Sequence, residues 1–535
     1  MELKNRLTPY IILALFPICI FTQLPLQLIL PYFLIVLAIT LVAEEGRINY
    51  GVLEQSGIPV VEPTLFLGSE PDYHRRVQHL VDIERFKKYG PIWGSYVGRA
   101  PHIFITDPEL IRLIFVKDSS SHFENRQDYE FGCALMNEVM EFKKGEEWRV
   151  LRDFLSPLFT TSKINHMSQV IGSCAKEFAS DLKSECDKNG RVKVDCRIRL
   201  TTSLIDMFAQ TTLGVRMEDR KDPRNLFAQA LRMMMHGEEE MNFIYTLSLS
   251  FPILQKLTPI YGEGIALLDS TFRNVIKKRI AGGCCSSTAH NDFLDFICCL
   301  WKRVEKGEFQ ELGFTQTTVL SQCVLFFLGG YDTMASTLCH LLWNMATHPE
   351  EQEEMYEELK RALANHPKGE EIDHELIHDS NIPFISACIY ETLRLQPSLY
   401  RPERICGNDW NHEGLSIKKG TVVIIPTWAA NRNPKFYPDE PEKFKPERLI
   451  PENNEYIDPY AFTSFGFGPR NCIGKRFACE SMKLFACHIV RNFRVELRED
   501  SVLEYKPGSP IVVAFNPLYL DFVKRNKKVS FFTER

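Results

Sequence analysis

Residues 315–346 carry the longest uninterrupted helical pattern in the chain, apolar on almost every face (VLSQCVLFFLGG). At 1.5 Å per residue such a helix runs roughly 48 Å, enough to cross a whole domain. A helix that is apolar all round has to be buried on every side, so other elements must wrap around it. The run also contains a defect, Gly329-Gly330-Tyr331-Asp332-Thr333. Adjacent glycines inside a helix cost about 1 kcal/mol each relative to alanine. Either another helix packs tightly against them, or the helix widens there and a small ligand fits beside the backbone, with Asp332 and Thr333 presented to it.

Helical periodicity also covers 143–156, 164–185, 224–236, 265–281, 350–364, 383–395 and 473–492. Strand-like runs are short and few, at 103–106, 421–426, 511–515 and 518–523. The fold class is mainly α with a small β portion. No Ser/Gly linker, repeat or low-complexity block breaks residues 70–535, which read as a single domain. The formal net charge of -6 gives no basic footprint for nucleic acid. Sixteen cysteines without regular spacing, several of them inside apolar helical runs (Cys323, Cys339, Cys388), read as buried thiols of a reducing compartment.

The N-terminus differs from the rest. No charged side chain occurs from Leu7 to Ala43, a run longer than the roughly 20 residues one membrane span needs. Residues 1–45 read as an uncleaved membrane anchor, and the proline-punctuated 46–69 as an elbow between membrane and domain. Lys4 and Arg6 favour a cytosolic N-terminus. One span would then carry the domain across the membrane, and two spans broken around Gln23–Gln27 would return it.

Two segments offer metal chemistry. HELIH (374–378) has the spacing with which a zinc hydrolase helix sets two histidines on one face around a glutamate. Its surroundings argue against that role. The flanks GEEID and DSNIP are charged and turn-forming, Pro383 limits any helix to about two turns, and Asn381 and Phe384 stand where the longer zinc motif has glycine and its third histidine. The stronger segment is FGFGPRNCIGKRFA (465–478). Its glycines and proline make a tight loop that lets backbone approach a flat ligand. Cys472 follows just ahead of a helix start, where N–H groups aimed at the sulfur favour a thiolate suited to iron. Arg470 is placed to pair with an anionic group of the same ligand.

FGFGPRNCIG resembles the haem-binding loop of the cytochrome P450 family. Other segments agree. Glu391-Thr-Leu-Arg394 resembles the family's ExxR helix, and Phe444-Lys-Pro-Glu-Arg448 the segment whose arginine closes that ion-pair network. Trp148-Arg-Val-Leu-Arg152 matches a helix whose tryptophan and arginine reach the haem propionates, and Arg404 matches another propionate contact. Gly329–Thr333 matches the oxygen groove of the long helix, with Gly329 where alanine is usual; Asn431 replaces a usual histidine. The matches run from about residue 57 to 525, and their wording resembles the microsomal drug- and steroid-metabolising branch that includes thromboxane synthase.

The resemblance implies a P450 fold and a haem-thiolate monooxygenase. Haem b would be held by Cys472 as axial ligand, with Phe465 and Gly474 in the cofactor loop and Arg470, Trp148, Arg152 and Arg404 on the propionates. Thr333 and Asp332 would relay protons, and Gly330 would leave room for dioxygen. Electrons would come from an NADPH-cytochrome reductase, with cytochrome b5 as a second donor, docking on a face where Lys475, Arg476 and Lys483 supply charge. The implied location is the endoplasmic reticulum membrane, in contact with lipid, with the catalytic domain facing the cytosol. The substrate is expected to be an apolar small molecule (xenobiotic, steroid or lipid), bound among Phe326, Phe327, Ser398, Leu399, Ile511 and Val512. The alternative within the family is a reductase-independent peroxide isomerase. Within the resemblance HELIH falls in a polar surface connection, and a zinc metalloprotease is rejected.

Overall fold

A computed structural model describes residues 26–128, 133–217, 247–248, 251, 254, 262–282, 293–453, 457–507 and 512–525. Helices α1 (Leu26–Glu45) and α2 (Gln78–Tyr89) come first, followed by α3 (Gly145–Leu155), α4 (Thr161–Glu185), α5 (Cys196–Phe208), α6 (Gly262–Ala281) and α7 (Phe293–Glu305). The long α8 (Gln316–Thr347) leads into α9 (Pro349–Ala364), α10 (Pro383–Leu395) and α11 (Lys475–Asn492). The expected helix at 224–236 and the residues before Leu26 lie outside this description. Among the described residues no helix is long and apolar enough to cross a membrane.

The β portion is small. A four-stranded sheet has the order β1 (Ile92–Val97), β2 (Ala100–Ile105), β7 (Val422–Ile424), β4 (Glu403–Ile405), with β2 and β7 parallel. A three-stranded sheet joins β3 (Arg191–Asp195), β9 (Tyr519–Lys524) and β8 (Phe493–Glu496), and β5 (Trp410–His412) pairs with β6 (Leu415–Ile417). Of the run expected at 511–515, the described residues 512–515 make only single bridges, from Val512 to Leu399 and from Phe515 to Tyr505. The proline-rich segment before α2 runs beside β1, with Val61 N–H donating to Gly94 O at 2.9 Å and Ser69 N–H to Tyr96 O at 2.7 Å.

The α8 helix is the axis of the main core, in which α5, α7, α10 and α11 all pack. Thr315 caps it through a reciprocal side-chain and backbone pair with Thr318. Between Thr318 and Met345 most side chains are buried, as its largely apolar character requires, and the less buried positions cluster between Leu325 and Thr333. Polar groups admitted there are satisfied: Gln322 donates to Glu138 O and Thr318 O and accepts from Met140 N–H, holding the 138–142 segment against the helix. Cys323, Cys339 and Cys388 are buried free thiols.

The α10 helix is fastened by charge. Arg394 and Glu391 are both fully buried and pair through two hydrogen bonds of 2.7 and 2.8 Å. Arg448 Nε adds a third at 3.1 Å. The rest of the Arg394 guanidinium donates to the carbonyls of Asn431, Pro441 and Lys443. Asn431 spends its side-chain amide on the same corner, donating to Arg394 O and Ser464 Oγ and accepting from Thr463 N–H and Oγ1. This knot fixes the loop that leads into 465–474.

Candidate active site

A cavity of about 400 Å³ lies between α8, the 465–474 loop and the 398–404 segment. The loop forms its floor. Gly466 and Gly468 have φ of 65° and 71°, a conformation that side chains rarely adopt. A Cβ at Gly468 would lie 1.8 Å from Phe115 O, so the loop passes directly under that backbone. Asn471 N–H donates to Gly468 O at 3.0 Å and Cys472 N–H to Phe465 O at 2.9 Å, which turns Cys472 upward as part of the lining. The following helix begins at Lys475 rather than at Ile473. Desolvation pushes the Cys472 thiol up to about 11, and the N–H of Gly474 acts in the opposite direction. A bound cationic metal would oppose that desolvation and favour the thiolate.

Arginines crowd one wall. Arg152 donates to Asn471 O and Oδ1 at 3.0 and 2.9 Å. Arg470 donates to the carbonyls of Glu124 and Lys143 at 2.8 Å each. Burial and the nearby Arg126 pull the Arg470 guanidinium down to about 10, and burial with Arg126 and Arg470 pulls Arg404 well below its ordinary value. Nε of Arg404 and of Arg126 are buried without a hydrogen-bond partner. Arg126, which pairs with Glu141, was not legible from any motif in the sequence. Trp148 does not border this cavity directly; its ring lies under Arg470, 4.3 Å from the guanidinium carbon, and so helps orient it.

This wall fits haem. Four lining guanidiniums (Arg126, Arg152, Arg404, Arg470) face two lining carboxylates, Glu141 and Glu403. The excess of two positive charges and the two orphaned Nε atoms match a ligand with two carboxylates. Arg401 also borders the cavity, but Asp82 holds it at 2.7 Å and Glu70 stands at 3.5 Å.

The groove residues separate. Thr333 lines the cavity, its hydroxyl donating to Gly329 O at 2.8 Å. Asp332 does not: it is buried on the far side of α8 in an ion pair with Arg197. Gly330 borders the cavity with its backbone, while a Cβ there would meet Phe208 Cζ at 2.1 Å, so its other side is filled. Gly330 is thus the tight packing point of α5 on α8, while Gly329 has nothing within 4 Å and is the open position. Phe326, Ser398, Leu399 and Val512 border the cavity as expected; Phe327 turns away into a cluster with Phe208 and Phe272, and Ile511 lies outside the described residues. Lys483 is buried and paired with Asp379, so it adds no charge to the face near Cys472, where Lys475 and Arg476 are exposed.

HELIH is not helical. Residues 374–378 form turns, His374 Nδ1 meets Glu480 Oε2 at 3.1 Å and His378 Nδ1 meets Ser380 Oγ at 2.9 Å. Among the described residues one metal-sized group exists, His366, Asp373 and Glu375, and Lys368 already bridges its two carboxylates.

Compared with known proteins, the chain matches the family model described as Cytochrome P450 over residues 58–522. The chain belongs to the cytochrome P450 family. It is 31% identical over 503 residues to "Lithocholate 6-beta-hydroxylase" of Mesocricetus auratus, covering 93% of this chain and 97% of that one. It is 32% identical to "Cytochrome P450 3A16" of Mus musculus and 31% identical to "Cytochrome P450 3A2" of Rattus norvegicus, each comparison covering 90% of this chain and 96% of the relative. This P450 is a monooxygenase that uses haem, of the kind found in the drug- and steroid-metabolising branch.

Proposed function

We propose that this P450 inserts one oxygen atom from dioxygen into an apolar steroid- or xenobiotic-like molecule, with electrons from NADPH delivered by a membrane-bound reductase. The observation that carries the reading is one cavity bordered at once by Cys472, the arginine wall, Thr333 and apolar side chains such as Phe326, Leu399 and Val512. Haem held through Cys472 supplies the iron chemistry that activates dioxygen. The protein's part is positional. Arg126, Arg152, Arg404 and Arg470 hold the propionates, Phe465 and Gly474 border the cofactor loop, and Glu391, Arg394 and Arg448 keep that loop rigid. Thr333 holds and passes a proton at its Oγ1. Asp332 is paired with Arg197, so to relay a proton toward Thr333 its carboxylate has to leave that pair and take the proton up first.

The hydroxylase named among the relatives and the apolar lining support this substrate class. The charge-free Leu7–Ala43 run and exposed Leu34, Ile35, Ile39, Leu41 and Val42 support an N-terminal anchor at 1–45 in the endoplasmic reticulum membrane, with the catalytic domain, 70–535 beyond the 46–69 elbow, facing the cytosol. Exposed Lys475 and Arg476 support docking of an acidic reductase surface, with cytochrome b5 as a second donor. Reconstitution with NADPH and reductase in lipid vesicles, assayed on a steroid and xenobiotic panel, tests the reading. Hydroxylated product that requires both supports it; product from a lipid peroxide with neither would replace it by a peroxide isomerase.

A further inference from the structure

Thr337 lies one turn after Thr333 on α8, and Ser398 reaches α8 from the segment that follows α10. Both side chains border the cavity while being 3% and 6% exposed. Their oxygens form a triangle with the Thr333 carbonyl. Thr337 Oγ1 lies 2.9 Å from Thr333 O, Ser398 Oγ lies 2.9 Å from the same carbonyl, and the hydroxyls are 3.0 Å apart. Three contacts share two hydroxyl protons, so one contact is always without a hydrogen. A ligand hydroxyl can donate to a lone pair here at no loss. A ligand carbonyl can accept once either hydroxyl turns, since the other still serves Thr333 O.

Three other polar groups that border the cavity are committed. Arg401 is held by Asp82, Thr333 Oγ1 donates to Gly329 O, and Ser464 Oγ donates to Leu393 O. The remaining neighbours include Met334, Leu399 and Val512, which offer no comparable donor. We propose that the Thr337–Ser398 hydroxyl pair is a subsite for a single neutral oxygen, hydroxyl or ketone, on an otherwise apolar skeleton, held beside Thr333. This rests on the apolar-substrate reading above and narrows it to mono-oxygenated ligands.

Equilibrium dialysis of the full-length holoenzyme in lipid vesicles, with androstane, androstanol and androstanone as probes, tests it. The parent should bind both oxygenated probes about tenfold more tightly than androstane, the worth of one buried neutral hydrogen bond. Thr337→Val with Ser398→Ala should bring the three affinities together by weakening the oxygenated pair and leaving androstane unchanged. If the double variant fails to retain haem, Thr337→Val alone, which swaps hydroxyl for methyl at equal size, should lose most of the preference. A parent without the preference, or a variant that keeps it while losing only thermal stability, overturns the proposal and leaves the pair a structural tie. Product formation is scored separately: preference without turnover defeats the oxidation reading alone, and turnover without preference defeats the subsite alone.

Discussion

Removing the three charged members of the α10 knot one at a time should produce a graded series, because their surroundings differ. In Glu391→Ala, Arg394 keeps three carbonyl partners and the Tyr437 ring at 4.8 Å, but two guanidiniums are left without a carboxylate. An uncompensated buried charge typically costs about 3–5 kcal/mol. In Arg394→Ala, Glu391 still accepts from Arg448 Nε at 3.1 Å and Lys445 N–H at 3.0 Å. The carbonyls of Asn431 and Pro441 lose donors at 2.8 Å, however, and charged hydrogen bonds are worth about 1.5–3 kcal/mol each, so the loss is of similar size. Arg448 is different: its side chain is 11% exposed, and without it Glu391 keeps both bonds from Arg394. Arg448→Ala should cost about 1–2 kcal/mol. With total stability of about 5–15 kcal/mol, the first two variants should lose haem and the third should retain it. Haem-to-protein ratio and urea midpoint, measured on proteins purified in parallel, give the order. An Arg448→Ala variant as damaged as Glu391→Ala, or an Arg394→Ala variant with full haem content, would refute the reasoning.

Other expected outcomes follow from single positions. Gly330→Ala should destabilise the fold through the 2.1 Å clash with Phe208 and be partly rescued by Phe208→Ala, whereas Gly329→Ala should stabilise it by up to about 1 kcal/mol of helix propensity, read as a higher urea midpoint. Burial lowers His102 and His340 to about 3 and His488 to about 4, against an ordinary 6.5. Because these folded-state values are depressed, the neutral rings contribute fully above pH 6.5, and that contribution is lost as pH falls toward 4. The slope should reach about 4 kcal/mol per pH unit for three protons, read from urea midpoints against pH. Asp332→Asn should lower kcat by about 10²-fold while leaving ligand binding unchanged, as a proton-transfer role requires, checked by turnover and dialysis together. His374→Ala with His378→Ala should change stability by less than about 1 kcal/mol in total and leave haem and zinc content as in the parent, measured by elemental analysis.

What the sequence made legible was local. Periodicity located α8 to within one residue at each end, because a helix buried on all sides carries its signal in every turn. The Cys472 loop was legible because glycine geometry constrains residue choice within a few positions, and the Glu391–Arg394 pair through its resemblance to the family's ExxR helix. Contacts between distant segments were not. Arg126 joins the arginine wall from an irregular stretch with no pattern of its own, and Phe208 fills the space at Gly330 from a helix more than a hundred residues earlier. The opposite fates of the adjacent glycines, and the turn of Asp332 toward Arg197, depend on which face of α8 meets α5. HELIH had the right spacing, but spacing presents two histidines together only where the backbone is helical, and here it turns.

The assignment of Cys472 as the iron ligand has its most direct test in the carbon monoxide spectrum of the reduced holoenzyme. The parent should give the red-shifted Soret band of thiolate-ligated haem, and Cys472→His should lose it while Cys479→Ser, one turn into α11, keeps it. A Cys472→His protein that retained the band, or a Cys479→Ser protein that lost it, would contradict the account.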